Sequence, residues 1–206
     1  MHFLITAGGT REYIDPVRFI SNASSGRMGY ALAIAALKAG HDVTLITAPT
    51  ALKPPDRTTV VEVESAAQMF AAVKEHFKRC NCLIMAAAVS DYTPARPAKN
   101  KIKKSTQPLT IKLKPTKDIL KWAGQYKHKG QLVVGFALED KALRPQAEKK
   151  LKSKNLDLIV ANEISAIAAT STTVQLKSPQ SPWTTLQGTK PTLARIIITA
   201  IQTLRP

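Results

Sequence analysis

HFLITAGGTREYIDPVRFISNASSGRMGYALAIAALKAGHDVTLIT, residues 2–47, decides the fold. It opens on HFLITA, a short apolar run cut off by Gly8-Gly9-Thr10, which reads as a buried strand ending in a tight turn. Its middle, GRMGYALAIAALKAG (26–40), repeats Ala, Leu and Ile at helical spacing, with Gly40 placed to end the helix. DVTLIT (42–47) follows as a second apolar run. Strand, helix and strand in that order make one crossover unit with parallel strands.

The pattern repeats downstream. SAAQMFAAVKEHFKR (65–79) begins with Ser65 and Gln68 at capping-box spacing and reads as a helix. CLIMAAA (82–88) is a third strand. Residues 89–108 are rich in Lys and Pro, poor in apolar groups, and read as a long loop of the kind that carries function. LTIKLK (109–114) alternates and predicts a half-exposed strand. TKDILKWAGQY (116–126) predicts a helix with Thr116 as its N-cap. LVVGFA (132–137) is a strand, KALRPQAEKKLKSKN (141–155) a basic amphipathic helix interrupted by Pro145, and LDLIVAN (156–162) a fifth core strand. TTVQLK (172–177) and PWTTLQ (182–187) form a hairpin. PTLARIIITAIQTL (191–204) closes the chain as a helix with Pro191 near its start. The expectation is one α/β domain over 1–206. It has a Rossmann-like, mostly parallel sheet with helices on both faces, a lysine-rich strap at about 92–108, and a C-terminal hairpin.

Composition narrows the function. With 44% hydrophobic residues in 206, the chain can bury a large core. No run of 18 apolar residues occurs and the N-terminus lacks a charged n-region, so neither membrane span nor signal peptide is expected and the cytoplasm is. Cys80 and Cys82 stand at a spacing that suits neither a disulfide nor a four-ligand zinc site, and His2, His41, His76 and His128 are scattered. The two cysteines read as buried or half-buried free thiols in a reducing compartment. The formal charge is +16, from 30 Lys+Arg against 14 Asp+Glu. From Tyr92 to Gly130 there are eleven Lys/Arg and one acid, Asp118; from Lys141 to Lys154 there are six and one, Glu148. A local cationic excess points to anionic partners: nucleotides, phosphorylated metabolites or nucleic acid. A nucleic-acid-binding protein is one reading, although aromatic residues make up only 5% and no binding motif is visible.

Ligands of open parallel sheets bind beyond the carboxyl ends of the strands. Here those ends carry GGTRE (8–12), AAAVSDY (86–92), Glu139-Asp140 after Phe136, and Asn162-Glu163. Neither G-x-G-x-x-G nor Walker A is present, which counts against the alternative of a nucleotide-binding Rossmann-like oxidoreductase. Gly8-Gly9 is either a plain turn or part of a site. Ser24-Ser25-Gly26, with Arg27 beside it, is either a phosphate cradle at a helix N-terminus or an ordinary N-cap. Lys99, Lys101, Lys103 and Lys104 are either a solvated run or a strap that lays lysine on a polyphosphate. Lys150 and Lys154 share one helix face, turned either to an anion or to water. Asp91 contacts a ribose, base or metal, or caps a turn.

ITAGGTREYIDPVRFISNASSGRMGYALA, AAAVSDY, KIKK, KDIL, VVGFALED and KKLKSKNLDLIVAN, in this order over about residues 3–165, resemble the phosphopantothenate–cysteine ligase family. That resemblance implies a stand-alone bacterial ligase acting in coenzyme A biosynthesis. The carboxylate of 4′-phosphopantothenate attacks the α-phosphate of a nucleoside triphosphate, CTP rather than ATP. Pyrophosphate leaves, and the amine of L-cysteine displaces the monophosphate from the acyl-cytidylate. Mg2+, a homodimer and a separate decarboxylase partner are implied; no membrane or specific nucleic acid is. The resemblance places Asn22 on the acyl-nucleotidyl intermediate, Arg18 beside the reacting groups and Lys101 on the triphosphate. It makes Met85, Ala86, Ala87, Asp91, Lys117, Asp118, Ile119, Leu120, Phe136, Lys150 and Lys154 nucleotide contacts. With it, Gly8, Gly9, Ser24, Ser25 and Gly26 read as a phosphate-facing loop. Arg27 stands where many members have Lys, Lys117 where Pro is common, and GFALED where GFAAET is common. No metal ligands are identified, and 109–114 and 172–187 are the candidate dimer edges.

Overall fold

A computed structural model describes residues 1–163 and 171–204. In chain order the first half contains β1 (His2–Ala7), β2 (Arg11–Tyr13), β3 (Phe19–Ser21), α1 (Arg27–Lys38), β4 (Asp42–Thr47), β5 (Thr59–Glu62), α2 (Ala66–Phe77) and β6 (Cys82–Met85). The second half contains β7 (Tyr92–Pro94), β8 (Leu113–Pro115), α3 (Ile119–Tyr126), β9 (Leu132–Glu139), α4 (Leu143–Ser153), β10 (Leu158–Glu163), β11 (Ser171–Lys177), β12 (Thr184–Thr189) and α5 (Lys190–Thr203). The main sheet has eight strands in the order β12-β11-β10-β9-β6-β1-β4-β5. The six strands from β10 to β5 are mutually parallel, and β11 and β12 are antiparallel additions. β2–β3 and β7–β8 are separate two-stranded ribbons.

Strand periodicity divides the core into two layers. Phe3, Ile5, Val43, Leu45, Ile84, Val134 and Val160 pack with Tyr30 and Leu32 of α1 and Ile197 and Ile201 of α5. Leu4, Ile46, Leu83, Val133 and Ile159 face the other way, onto Met69, Val73 and Phe77 of α2, Leu120 of α3 and Leu151 of α4. The handedness of crossovers explains the division. From β1 the chain steps outward to β4 and β5, then returns past β1 to β6 and continues to β9 and β10. Right-handed crossovers in opposite directions put α1 on one face and α2, α3 and α4 on the other. The reversal lies between β1 and β6, where open sheets form a crevice. An isolated parallel bridge, Gly9 to Ala88, extends that seam past the strand ends.

The expected parallel sheet, helices on both faces and C-terminal hairpin are present. Ser65 and Gln68 form a reciprocal capping box. Several local expectations change. The strand at 109–114 contracts to Leu113–Pro115, paired only with Tyr92–Pro94 inside the expected loop. Among the described residues, 109–111 have no neighbouring strand, so alternation alone does not extend them. Asp118, not Thr116, caps α3, its carboxylate accepting from the Lys121 N–H at 2.9 Å. Pro145 does not interrupt α4. It sits in the first turn, where a missing N–H removes no helical hydrogen bond. β11 is paired on both sides, so of the hairpin only β12 presents a free sheet edge. The ribbon β2–β3 and strand β5 have no clear sequence signal. Among the described residues no helix is long and apolar enough to cross a membrane.

Candidate active site

The loops after β1 and β6 meet at the reversal point. Gly9 lies under the main chain of Asn22, and a Cβ on it would come within 2.7 Å of the Asn22 carbonyl oxygen. This close approach requires glycine. The Asn22 side chain reaches across the seam, Nδ2 donating to the Ala88 carbonyl at 3.4 Å and the Val89 carbonyl at 3.2 Å. The amide is thereby fixed at the junction of the two loops. Gly26 starts α1 with φ of 73°, and no side chain caps the helix. Ser24 Oγ accepts from the Gly26 N–H at 3.4 Å. Of the two readings of Ser24-Ser25-Gly26, the ordinary side-chain N-cap is therefore absent. A Cβ on Gly26 would stand 3.4 Å from the Gly8 nitrogen, so Gly8, Gly9, Asn22 and Gly26 form one cluster.

Hydroxyl bridges carry the seam toward α3. The Ser90 N–H donates to Thr10 Oγ1 at 2.9 Å, and the Ser90 carbonyl accepts from Thr116 Oγ1 at 2.7 Å. Ser90 and Thr10 are buried, so these bonds satisfy groups that would otherwise be costly. Thr116, expected as a helix cap, instead ties the loop before α3 to the loop after β6.

A cleft of about 350 Å³ opens beside this tie. Met85, Ala87, Val89, Ile119, Leu120 and Phe136 supply its apolar wall. Asp91, Lys117, Asp118, Lys150 and Lys154 supply its charge, with Tyr92, Pro115 and Thr116 completing it. Lys150 and Lys154 thus face the cleft rather than water. The Lys150 ammonium donates to the Phe136 carbonyl at 2.7 Å. Burial, then the neighbouring Lys154, lowers its pKa from the ordinary lysine value. Lys154 Nζ lies 2.8 Å from Asp118 Oδ2. Burial acts to raise Asp118, but the hydrogen bond from Lys154, the Lys121 N–H and the charges of Lys154 and Lys150 outweigh it, and the carboxyl pKa is lowered. Lys117 Nζ sits 5.3 Å above the Phe70 ring. An apolar wall facing a cluster of ammonium groups accepts a flat apolar ring joined to a polyanion.

Ala86 packs against the core and does not line this cleft. Glu139, Asp140, Asn162 and Glu163 do not line it either; Glu163 borders a separate hollow with Leu143 and Ser171. Convergence of strand ends therefore holds at β1 and β6, β9 contributes Phe136 rather than Glu139-Asp140, and β10 contributes nothing to the cleft. Lys101 is exposed on the strap and is not part of the cleft wall. Arg18 lies beside the strap, Nη2 donating to the Ile102 carbonyl at 2.7 Å. A larger groove of about 890 Å³ runs between α1 and α5 and shares only Arg27 with the glycine loop. It holds none of the strand-end residues, so size does not mark the chemistry here. Cys80 and Cys82 are buried thiols, Cys80 raised by burial to about 11. The sequence reading included Val89 and Tyr92 only as part of AAAVSDY (86–92) and missed Pro115 and Thr116 as cleft residues; the turn residues around β7–β8 were their only signal.

The chain matches the DFP family, described as the DNA/pantothenate metabolism flavoprotein C-terminal domain, over residues 1–204. It is 50% identical over 161 residues to a cysteine/cysteine sulfinic acid decarboxylase of an unknown prokaryotic organism, covering 78% of this chain and 45% of that one. It is 48% identical over 169 residues to the coenzyme A biosynthesis bifunctional protein CoaBC of Bacillus subtilis (strain 168), covering 82% of this chain and 41% of that one. The chain therefore spans less than half the length of these two relatives. A crystal structure of the C-terminal domain of a coenzyme A biosynthesis bifunctional protein CoaBC superposes with a TM-score of 0.86 at 41% identity, covering 98% of this chain and 94% of that one. The chain belongs to the DFP family.

Proposed function

We propose that this member of the DFP family is a phosphopantothenate–cysteine ligase of coenzyme A biosynthesis. A carboxylate oxygen of 4′-phosphopantothenate attacks the α-phosphorus of CTP, the α–β bridging P–O bond breaks, and pyrophosphate leaves. The amino nitrogen of L-cysteine then attacks the acyl carbon, the acyl C–O bond breaks, CMP leaves, and the amine proton passes to solvent. The observation that carries this reading is the Asn22 amide, fixed on the Ala88 and Val89 carbonyls beside the cationic cleft.

Each group has a task in this scheme. Met85, Val89, Leu120 and Phe136 take the base, and Lys117, Lys150 and Lys154 the phosphates. The open α1 N-terminus at Gly26 and the hydroxyls of Ser24 and Ser25 take the phosphate of phosphopantothenate. In this reading one Asn22 Nδ2–H turns from the loop carbonyls to the bound substrate and stabilises charge shifting onto the acyl-phosphate oxygens. No side chain need act as nucleophile, since both steps are displacements between bound substrates. A magnesium ion travelling with the triphosphate needs only one or two protein carboxylates, and Asp91 in the cleft wall fits that need. When bound, the ion neutralises charge on the phosphates.

Lys101 reaches the triphosphate if the strap folds over the cleft. A homodimer fits the exposed apolar side chains of Val17, Phe19, Tyr92, Leu109 and Leu113, which cluster on the ribbons and strap. A cytoplasmic place and a decarboxylase that consumes the product complete the reading. The deciding assay is pyrophosphate release from CTP and from ATP with 4′-phosphopantothenate, with and without cysteine. Release with CTP and cysteine-dependent CMP formation are expected. No release with either nucleotide sinks the reading.

A further inference from the structure

The strap carries Lys99, Lys101, Lys103 and Lys104 in six residues, a run that repels itself. Ala98 and Ile102, on either side of the first two of these lysines, are nevertheless tied to the turn at residues 14–18. The Ala98 N–H donates to the Ile14 carbonyl at 2.8 Å. Ile102 is held on both sides: its N–H donates to Asp15 Oδ2 at 3.1 Å, and its carbonyl accepts from Arg18 Nη2 at 2.7 Å. Asp15 is 1% exposed. Its other oxygen, Oδ1, accepts from the N–H groups of Val17 and Arg18, both at 2.8 Å. The Arg18 guanidinium stands 3.4 Å from Oδ2.

We propose that Asp15 is a positioning residue that acts through Ile102 to fix the strap backbone that carries Lys101. The role of Lys101 itself rests on the ligase reading. The two oxygens divide the work. Oδ1 makes a local turn, which an asparagine oxygen would make equally well. Oδ2 serves a strap residue 87 positions away, and only a carboxylate offers that second acceptor. The Ile102 N–H belongs to the same peptide plane as the Lys101 carbonyl. Holding it fixes the backbone from which the Lys101 side chain departs. Arg18 closes the clamp from the other side, so strap and arginine take one arrangement together. Burial acts to raise the Asp15 pKa, but the three N–H donors and the Arg18 charge outweigh it and the pKa is lowered, which keeps both oxygens acceptors at neutral pH.

Asp15→Asn tests this, because it keeps the shape and the Oδ1 turn while turning an NH2 toward Ile102. Trypsin cleavage after Lys103 and Lys104 in the otherwise intact protein should speed up roughly tenfold, the population shift expected on losing one charge-assisted hydrogen bond. The kcat of pyrophosphate release should fall while KM for cysteine holds. In a Lys101→Gln background the same change should have no further effect on kcat, since both act through one group. Ile102→Pro removes the donor from the strap side and should reproduce the faster cleavage even if Asp15→Asn does not fold. Unchanged strap cleavage in the folded variants, or losses that multiply in the double variant, would mean that Asp15 only braces its own turn. If the wild type releases no pyrophosphate, the ligase reading fails, and the trypsin measurement still decides on the clamp.

Discussion

The Asn22 amide donates to the Val89 carbonyl at 3.2 Å across 67 residues of chain. This bond joins the loop after β1 to the loop after β6 where the sheet reverses its order, at Val89, which lines the cationic cleft.

Asn22→Asp should leave CTP binding nearly unchanged and stall product formation. The carboxylate cannot donate to Ala88 and Val89, and it places negative charge where the intermediate gathers its own. Loss of one such group costs on the order of 100- to 1000-fold in kcat. Single-turnover measurement of acyl-cytidylate and CMP checks it; normal turnover would remove Asn22 from the mechanism.

Lys154→Gln should weaken nucleotide binding more than it weakens the fold. Lys154 and Asp118 are both partly exposed, so their ion pair contributes at most about 1 kcal/mol to stability. A charge-assisted contact from Lys154 to a phosphate is worth about 1.5–3 kcal/mol, so KM for CTP should rise roughly tenfold or more. Steady-state kinetics beside a thermal melt separates the two effects.

Gly124→Ala should cost stability although the site is in a helix, where alanine is normally favoured. A Cβ there would stand 1.8 Å from the Lys154 carbonyl oxygen, and the Gly124 carbonyl accepts from Asn155 Nδ2 at 2.8 Å. Backbone must move where α3 meets the end of α4, at a cost of roughly 1–3 kcal/mol or more. That corresponds to a fall in Tm of about 2–4 °C per kcal/mol for a domain of this size. An unchanged Tm would show that the two helices can part there without loss.

Acid should loosen the strap and the α3–α4 tie together. Asp15 and Asp118 both have folded pKa values below the ordinary carboxyl value. Between the folded and unfolded pKa the unfolded chain binds more protons. The stability these groups give is therefore complete above about pH 4 and is lost as pH falls through the folded values. Denaturant midpoints measured from pH 6 down to pH 2 should fall for the wild type. They should fall less steeply for an Asp118→Asn variant.

How far the site could be read before folding follows from the range of its interactions. Asp118 and Lys154 are each legible as charges in basic segments, but only the fold brings them within 2.8 Å. Thr116 has the spacing of a cap and is instead drawn away by the Ser90 carbonyl. Leu109 to Ile111 alternate like a strand and pair with no strand among the described residues, whereas Thr59–Glu62 carries little pattern and pairs with β4 because α1 and β4 have already built an edge for it.

The sequence by itself determined the crossover units, the parallel core and the capped α2 helix. Those features depend on period-2 and helical spacing and on residues three or four apart, which a linear chain displays directly. Only the tertiary structure decided that Lys150 and Lys154 face a cleft, that Asn22 bridges the β1–β6 seam and that Asp15 holds the strap at Ile102. The bonds behind these placements span 14 to 87 residues. They exist only after the handedness of the crossovers has placed the loops side by side.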